Sequence, residues 1–337
     1  MALALLKEQG HDLTAFYLKI WLEDELSHLG ECPWQEDLQY ARGVCEQLSV
    51  PLKIISLQRE YWDIIVSYAI AELKAGRTPN SDMFCNRLIK FGKFFDKIDP
   101  SYEKVASGHY ARVEKAGDLF LLKKSPDPVK DQTYFLGYMR QDQIARACFP
   151  LGQFTKSQVR KLAAEFDLPN KDRKDSQGIC FLGQVKYKEF VEHYLGEKPG
   201  DIIDLDENKI IGLHRGYWFY TIGQRQGLGL SGGPWYVVKK NVERNIIYLS
   251  RQNYVESRLR KTFRVGKFSW ISGKAPDKRE LQVKVRHGPE FYHCTLDLMD
   301  GQIGNVTLDR PDQGIAPGQF AVFYDHDICL GGGIITD

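Results

Sequence analysis

No Cys-x-x-Cys pair occurs in this chain. Its seven cysteines, Cys32, Cys45, Cys85, Cys148, Cys180, Cys294 and Cys329, are scattered and odd in number. That spacing implies neither a zinc site nor a secreted disulfide framework. It fits a reducing compartment, where most thiols are inert and one or two can be reactive. Excess charge is lacking too: 46 Lys and Arg stand against 44 Asp and Glu, a net of +2. Such a balance does not advertise a polyanion partner, although local basic patches can still bind one. No apolar run reaches membrane-spanning length, so no membrane partner is expected. The opening Met1-Ala2-Leu3-Ala4-Leu5-Leu6-Lys7 has no basic lead-in and no small-residue cleavage site. It reads as a helix rather than a signal peptide. There is no internal repeat and no low-complexity tract.

What remains is a soluble, globular composition, 43% hydrophobic and 27% charged over 337 residues, enough for two or three domains. The spacing predicts a helix over Met1–Gln9 stopped by Gly10, and a strand over Leu13–Trp21. A helix from Pro33 follows, with Leu38, Ala41, Cys45 and Leu48 on one face, then a short buried strand over Leu52–Leu57. Tyr61–Leu73 reads as a helix stopping near Gly76. The helix after Cys85 carries Leu88, Phe91, Phe95 and Ile98, and a strand covers Lys104–Ala106. Strands alternating with helices predict an α/β, doubly wound parallel sheet. Tyr110–Val113 and Leu119–Lys123 make a hairpin around Gly117, helices follow near Gln132–Gly137 and Gln141–Ala147, and Thr155-Lys156-Ser157-Gln158 has capping-box spacing. After about residue 205, short strands between Gly, Pro and Asp predict a small β-barrel or sandwich.

Several stretches can carry chemistry. Lys171-Asp172-Arg173-Lys174-Asp175-Ser176-Gln177-Gly178-Ile179-Cys180-Phe181-Leu182 sets a thiol beside cations, which favour the thiolate. Two readings stand, a nucleophilic or sulfur-carrying Cys180 and a buried free thiol. In Thr78-Pro79-Asn80-Ser81-Asp82-Met83-Phe84-Cys85-Asn86, a turn-rich loop feeds a helix, and a thiol near a helix N-terminus is acidified. Here too a structural thiol is the alternative. Two such thiols together suit persulfide or disulfide chemistry. Ser107-Gly108-His109-Tyr110 follows a strand, where backbone touches nucleotide in such folds, although a lone histidine is more often structural. Lys130-Asp131-Gln132 reads as a phosphate or base contact, or as a solvated helix start. Thr221-Ile222-Gly223-Gln224-Arg225-Gln226-Gly227-Leu228-Gly229 lacks a following helix pattern and is no dinucleotide fingerprint.

Taken in order, these stretches resemble one family over essentially the whole chain, the tRNA-uridine 2-sulfurtransferases or tRNA 2-thiouridylases. The resemblance runs through Thr78–Gly92, Ser107–Tyr110 and Lys130-Asp131-Gln132-Thr133-Tyr134-Phe135-Leu136. It continues through Asp175–Leu182, Tyr220–Gly227 and Pro317-Gly318-Gln319. It implies ATP-dependent 2-thiolation: ATP with Mg2+ adenylates the 2-oxygen of a wobble uridine, and a persulfide sulfur replaces that oxygen. By the same resemblance Cys180 carries the persulfide and Cys85 is its partner, releasing sulfur and closing a disulfide. Asn80, Ser81 and Asp82 match the target-base position, and Leu18 and Gly108 match ATP contacts. His109, Lys130, Asp131, Gln132, Arg286, His287 and Gln319 match tRNA contacts, and no residue is implied as a resident metal ligand. Implied partners are tRNAs of the lysine, glutamate and glutamine type, and a sulfur-relay protein or cysteine desulfurase. The compartment is the cytoplasm in a bacterium, or a mitochondrion or plastid in a eukaryote.

The implied architecture has three parts: an adenine-nucleotide α-hydrolase-like α/β domain, a small central tRNA-binding domain and a C-terminal β-barrel. They are expected over 1–147 (with the 170–190 Cys180 loop returning to it), 148–262 and 263–337. Two departures from the family pattern bear on function. The Ser-Gly-Gly-x-Asp-Ser-Ser loop that holds ATP phosphates is not in this sequence, which opens inside the helix that follows it. Weak ATP binding and an opened sheet are therefore expected. Ser81 also stands where the family has proline, loosening its turn. The rival reading is a catalytically silent, truncated tRNA-binding protein.

Overall fold

Two short parallel ladders carry the N-terminal part of the chain. β1 (Ala15–Lys19) pairs with β2 (Leu52–Ser56), and β3 (Val105–Ala106) pairs with β6 (Ala147–Cys148). Parallel strands need a long crossover, and the helix Trp34–Gln47 lies on the one joining β1 to β2. The computed structural model describes residues 1–20, 34–173, 187–251, 259–299 and 302–337. The α/β class read from the alternation is what the structure has, with its parallel pairing divided into halves. The expected burial of the second strand is not met, since Ile54 of β2 is 49% exposed. β2 is the edge of a two-stranded ladder, so much of it stays uncovered.

Local signals place the helices well. The first helix, Ala2–Glu8, is followed by Gly10 at φ +79°, and Gly76 at φ +74° follows the helix Ser67–Lys74. Only glycine takes such backbone at little cost. At Thr155 the capping box is complete, with Thr155 N–H donating to Gln158 Oε1 at 2.8 Å and Gln158 N–H donating to Thr155 Oγ1 at 3.4 Å. The helix after the Thr78–Asn80 turn differs from expectation. It begins at Ser81, and from Cys85 to Lys93 it winds as a wide π-helix with a kink at Phe91. The buried face is therefore Ile89, Phe91, Phe94 and Ile98, not Leu88, Phe91, Phe95 and Ile98.

The central sheet has the order β8 (Lys209–His214), β7 (Gly200–Asp204), β10 (Ile246–Arg251), β9 (Trp235–Asn241). Six antiparallel strands then close into a barrel: β11 (Arg260–Trp270), β14 (Ile303–Asp312), β13 (Tyr292–Met299), β12 (Glu280–Lys284), β15 (Phe320–Asp325) and β16 (Ile328–Ile335). Closure comes from β11 pairing with β16, which removes both edges. The hairpin β4 (Ala111–Ala116) and β5 (Leu119–Lys124) extends this same sheet, with Leu122 opposite Cys329. Among the described residues no helix is long and apolar enough to cross a membrane.

Cores cross between the three parts. Ile65, Cys85 and Ile89 share one with Phe190, Trp235 and Ile247, while Tyr134 and Met139 share another with Phe320 and Tyr324. A buried ion pair lies along the second seam. Lys284 Nζ of the barrel is 3.5 Å from Asp131 Oδ2, with side-chain exposures of 0% and 3%. Asp131 also accepts from Ser125 N–H at 3.1 Å and from the Thr133 hydroxyl at 2.7 Å.

Candidate active site

The turn Thr78–Asn80 and the helix behind it form one wall of a cavity of about 340 Å³ where the three parts meet. Asn80 caps the helix, its Oδ1 accepting from Met83 N–H at 3.3 Å. Ser81 and Asp82, in the first turn, line the cavity. Cys85 lies three and four residues on, so it shares their face of the helix. It is 2% exposed and one turn inside the helix, deeper than the N-terminal position expected from sequence. Tyr134, Phe135 and His287 line the same cavity, with the Phe135 and His287 rings 4.6 Å apart and inclined by 31°. Tyr187 and Phe190, on the helix that opens soon after Cys180, line it as well. Cys180 itself lies outside the described residues.

Charge in the cavity centres on Asp82. Burial pushes its carboxyl above the usual range, against the pull of Lys90 and His287. Burial disfavours the charged carboxylate, and that is the largest influence on this group. Four other thiols among the described residues are made poorer nucleophiles by burial, which pushes Cys45 and Cys148 up, and Cys294 and Cys329 up to about 12. Two cations expected to favour a Cys180 thiolate are otherwise engaged. Lys171 pairs with Asp167 at 2.5 Å, and Arg173 pairs with Asp37.

A second cavity, of about 400 Å³, separates the two parallel ladders. Leu18 and Gly108 both line it, with Phe16, Phe91 and Phe94 as apolar wall and Lys90 and Lys104 also present. The sequence-selected nucleotide contacts are therefore brought together. Among the described residues no three His, Cys, Asp or Glu side chains gather as a metal site.

The residues matched to tRNA contacts fall into distinct settings. His287 faces the first cavity. Gln132 is tied to Tyr110 by two bonds, N–H to Tyr110 O at 2.9 Å and Oε1 from Tyr110 N–H at 3.0 Å. Lys130 follows a turn capped by Asp127, whose Oδ1 accepts its N–H at 3.1 Å. Three side chains differ from the surface contacts expected. Asp131 is turned into the interior on Lys284 and the bonds above, because a carboxylate there needs every partner it can reach. His109 is wedged between Phe91 and Phe149 with Nδ1 2.7 Å from Ser107 Oγ, and burial, then Lys90, push its pKa down to about 3. It is a neutral ring, not a cation for phosphate. Arg286 is held bidentate by the buried Asp312 at 2.6 and 2.7 Å, leaving part of its guanidinium exposed. Asn80 also spends its amide internally, Nδ2 donating to Tyr134 OH at 3.3 Å and to Gln319 Oε1 at 3.4 Å.

Sequence reasoning passed over Gln143. It is 3% exposed, and its Nε2 donates to Arg87 O and Phe91 O, both at 2.6 Å. This one amide thus ties two carbonyls of the π-helix to Gln143, beside the kink at Phe91. Asp312, Phe135 and Phe190 were also unassigned. Phe135 lies within a quoted motif, which was its one visible signal.

Family models match the chain in three successive segments. The family model described as tRNA methyl transferase HUP domain matches residues 1–184. That for the tRNA methyl transferase PRC-barrel domain matches 188–251, and that for the aminomethyltransferase beta-barrel domain matches 260–335. The chain is 45% identical to the tRNA-specific 2-thiouridylase MnmA of Parabacteroides distasonis, over 98% of this chain and 94% of the relative. It is 43% identical to the protein of the same name in Porphyromonas gingivalis, over 98% of this chain and 93% of the relative. With such identity along nearly its whole length, and with the motif residues gathered at two cavities, the chain belongs to the tRNA-specific 2-thiouridylase family.

Proposed function

We propose that this protein catalyses ATP-dependent 2-thiolation of the wobble uridine of tRNA, with Cys180 as sulfur carrier and Cys85 as its partner. The observation that carries this reading is the cavity at the start of the Cys85 helix. It sets the Asp82 carboxyl, raised in pKa by burial, on the helical face that Cys85 occupies one turn later, in a cavity that the Phe135 and His287 rings also line. Aromatic faces suit a base drawn out of its stack.

The uridine 2-oxygen attacks the α-phosphorus of ATP, and pyrophosphate leaves. The terminal sulfur of the Cys180 persulfide attacks C2, and AMP carries the oxygen away. The Cys85 thiolate then attacks the Cys180 sulfur, so the S–S bond breaks, the thiocarbonyl stays on the base, and Cys85 and Cys180 form a disulfide. A thiol reductant resets the pair, and a sulfur-relay protein or cysteine desulfurase reloads it. Asp82 exchanges a proton with the ring. The cavity around Leu18 and Gly108 takes the adenosine, its apolar walls suiting a purine. Mg2+ arrives on the nucleotide phosphates. Lys130, Gln132, His287 and the exposed part of Arg286 meet the tRNA, of lysine, glutamate or glutamine type, and the compartment is the bacterial cytoplasm.

The test is genetic. Cells lacking the gene should lose 2-thiouridine from bulk tRNA, read as lost retardation on mercury-containing gels. The intact gene should restore it, and C85S or C180S alleles should not. Full restoration by either allele would remove that cysteine from the scheme. An intact protein that binds tRNA while thiolation persists in the deletion strain would favour the silent binder.

A further inference from the structure

The barrel loop before β15 grips the turn that opens the first cavity. Gln319 Nε2 donates to the carbonyl oxygens of Thr78 and Pro79, both at 3.2 Å, and its Oε1 accepts from Asn80 Nδ2 at 3.4 Å. One planar amide thus meets three consecutive residues. Beside it, Thr78 N–H donates to Pro317 O at 2.9 Å. Gly318 sits at φ +91°, and a Cβ there would lie 2.7 Å from Thr78 O. The loop is in turn fixed to β16: Gly318 N–H donates to Ile335 O at 2.9 Å, and Ile335 N–H donates to Gln319 O at 2.8 Å. From its own side the turn adds two more bonds, Asn80 N–H to Tyr68 OH and Asn80 Nδ2 to Tyr134 OH, each at 3.3 Å.

We propose that Gln319 is a positioning residue: it fixes the turn Thr78–Asn80, and through it Asp82 and the Cys85 helix, instead of reading RNA. Both of its amide donors are spent on the turn's main chain, and a bond donated to RNA would have to break one of them. The carbonyls it holds precede the helix and have no ladder to join. A glutamate at this position keeps the shape but loses both donors, and sets a carboxylate against two carbonyl oxygens. Ser81 offers an independent restraint. It is the first helical residue, where proline is favoured because φ suits the ring and the N–H has no intrahelical partner. A proline there should stiffen the turn without Gln319.

The activity arm of the test rests on the thiolation reading, and the exchange arm does not. Q319A, Q319E and G318A are compared with the intact protein, and Q319A is also made beside S81P. Amide exchange over residues 82–86 should accelerate about tenfold in Q319A, Q319E and G318A. Thiolation kcat should fall about tenfold or more, with the tRNA Kd within about threefold. In the S81P background the Q319A effect on kcat should shrink by about threefold or more. Should Q319A lose cooperative melting, Q319M keeps the side-chain volume and carries the same comparison. An RNA contact would behave otherwise: Q319A would weaken tRNA binding about tenfold, leave exchange unchanged and show no coupling to Ser81, overturning the proposal. If the intact protein thiolates nothing, the function reading fails, and the exchange difference alone decides the role of Gln319.

Discussion

Removing the ammonium of Lys284 should harm the protein far more than removing it together with its partner. The Nζ is 3.5 Å from Asp131 Oδ2, and neither side chain is appreciably exposed. At an effective dielectric of about 20, unit charges so placed attract by about 5 kcal/mol. Desolvating the two ions opposes this by several kcal/mol each, so the net worth of the pair is small. Burial accordingly pulls the Lys284 pKa down, with Asp131 opposing. Lys284→Met keeps the volume but strands the carboxylate on Ser125 N–H and Thr133 OH. Breaking a buried pair this way costs about 3–5 kcal/mol. Lys124 is a second nearby cation, but its Nζ donates to Gln282 Oε1 at 3.1 Å, so relief should be partial. For a cooperative unit of about 150–250 residues the loss lowers Tm by on the order of 10 °C. The double variant K284M/D131N should recover most of it. Calorimetry at neutral pH reads both. A single variant melting within about 1 °C of the intact protein, or a double variant below the single, would refute the reasoning.

Other perturbations have definite signs. The folded pKa of His109, about 3, lies below the unfolded value of about 6.5, so the folded state binds fewer protons and stability falls as pH drops through that window. Between pH 7 and 5 the loss should be about 2 kcal/mol, and H109N should flatten it; equal pH dependence in both proteins would contradict the neutral ring. Gln143→Leu removes two bonds of 2.6 Å and should cost about 2–4 kcal/mol. In a C180S background it should also change the alkylation rate of Cys85, and an unchanged rate would separate Gln143 from the thiol's placement. Arg286→Ala should reduce the salt slope of tRNA binding by less than about one unit, because Asp312 already neutralises the guanidinium. A full unit would mean that the pair opens on RNA.

What could be read from the sequence was what local chemistry determines. Gly10 and Gly76 end helices because only glycine takes the required φ at little cost, and Thr155 with Gln158 announces a helix start. Short strands between Gly, Pro and Asp foretold a small β-barrel or sandwich, and six strands close as a barrel. The Cys85 helix was misread because an α-helical period was assumed, and the π-turn brings Ile89 and Phe94 into the core in place of Leu88 and Phe95. The hairpin β4–β5 was visible, but its pairing with β16 joins residues some two hundred apart, beyond any local signal. The site shows the same split. Both cavities gather residues chosen from motifs, Ser81 and Asp82 at one, Leu18 and Gly108 at the other. The inward turns of Asp131 and Asn80 and the clamps from Gln143 and Gln319 depend on partners distant in sequence.

The path of the sulfur atom tests the central claim most directly. Protein purified from its host would be loaded with radiolabelled persulfide by a cysteine desulfurase, then given unmodified tRNA, ATP and Mg2+. Label should sit on the Cys180 peptide before the chase and move to 2-thiouridine only with ATP, leaving a Cys85–Cys180 disulfide. Label on another cysteine, or transfer at the same rate without ATP, would contradict the account.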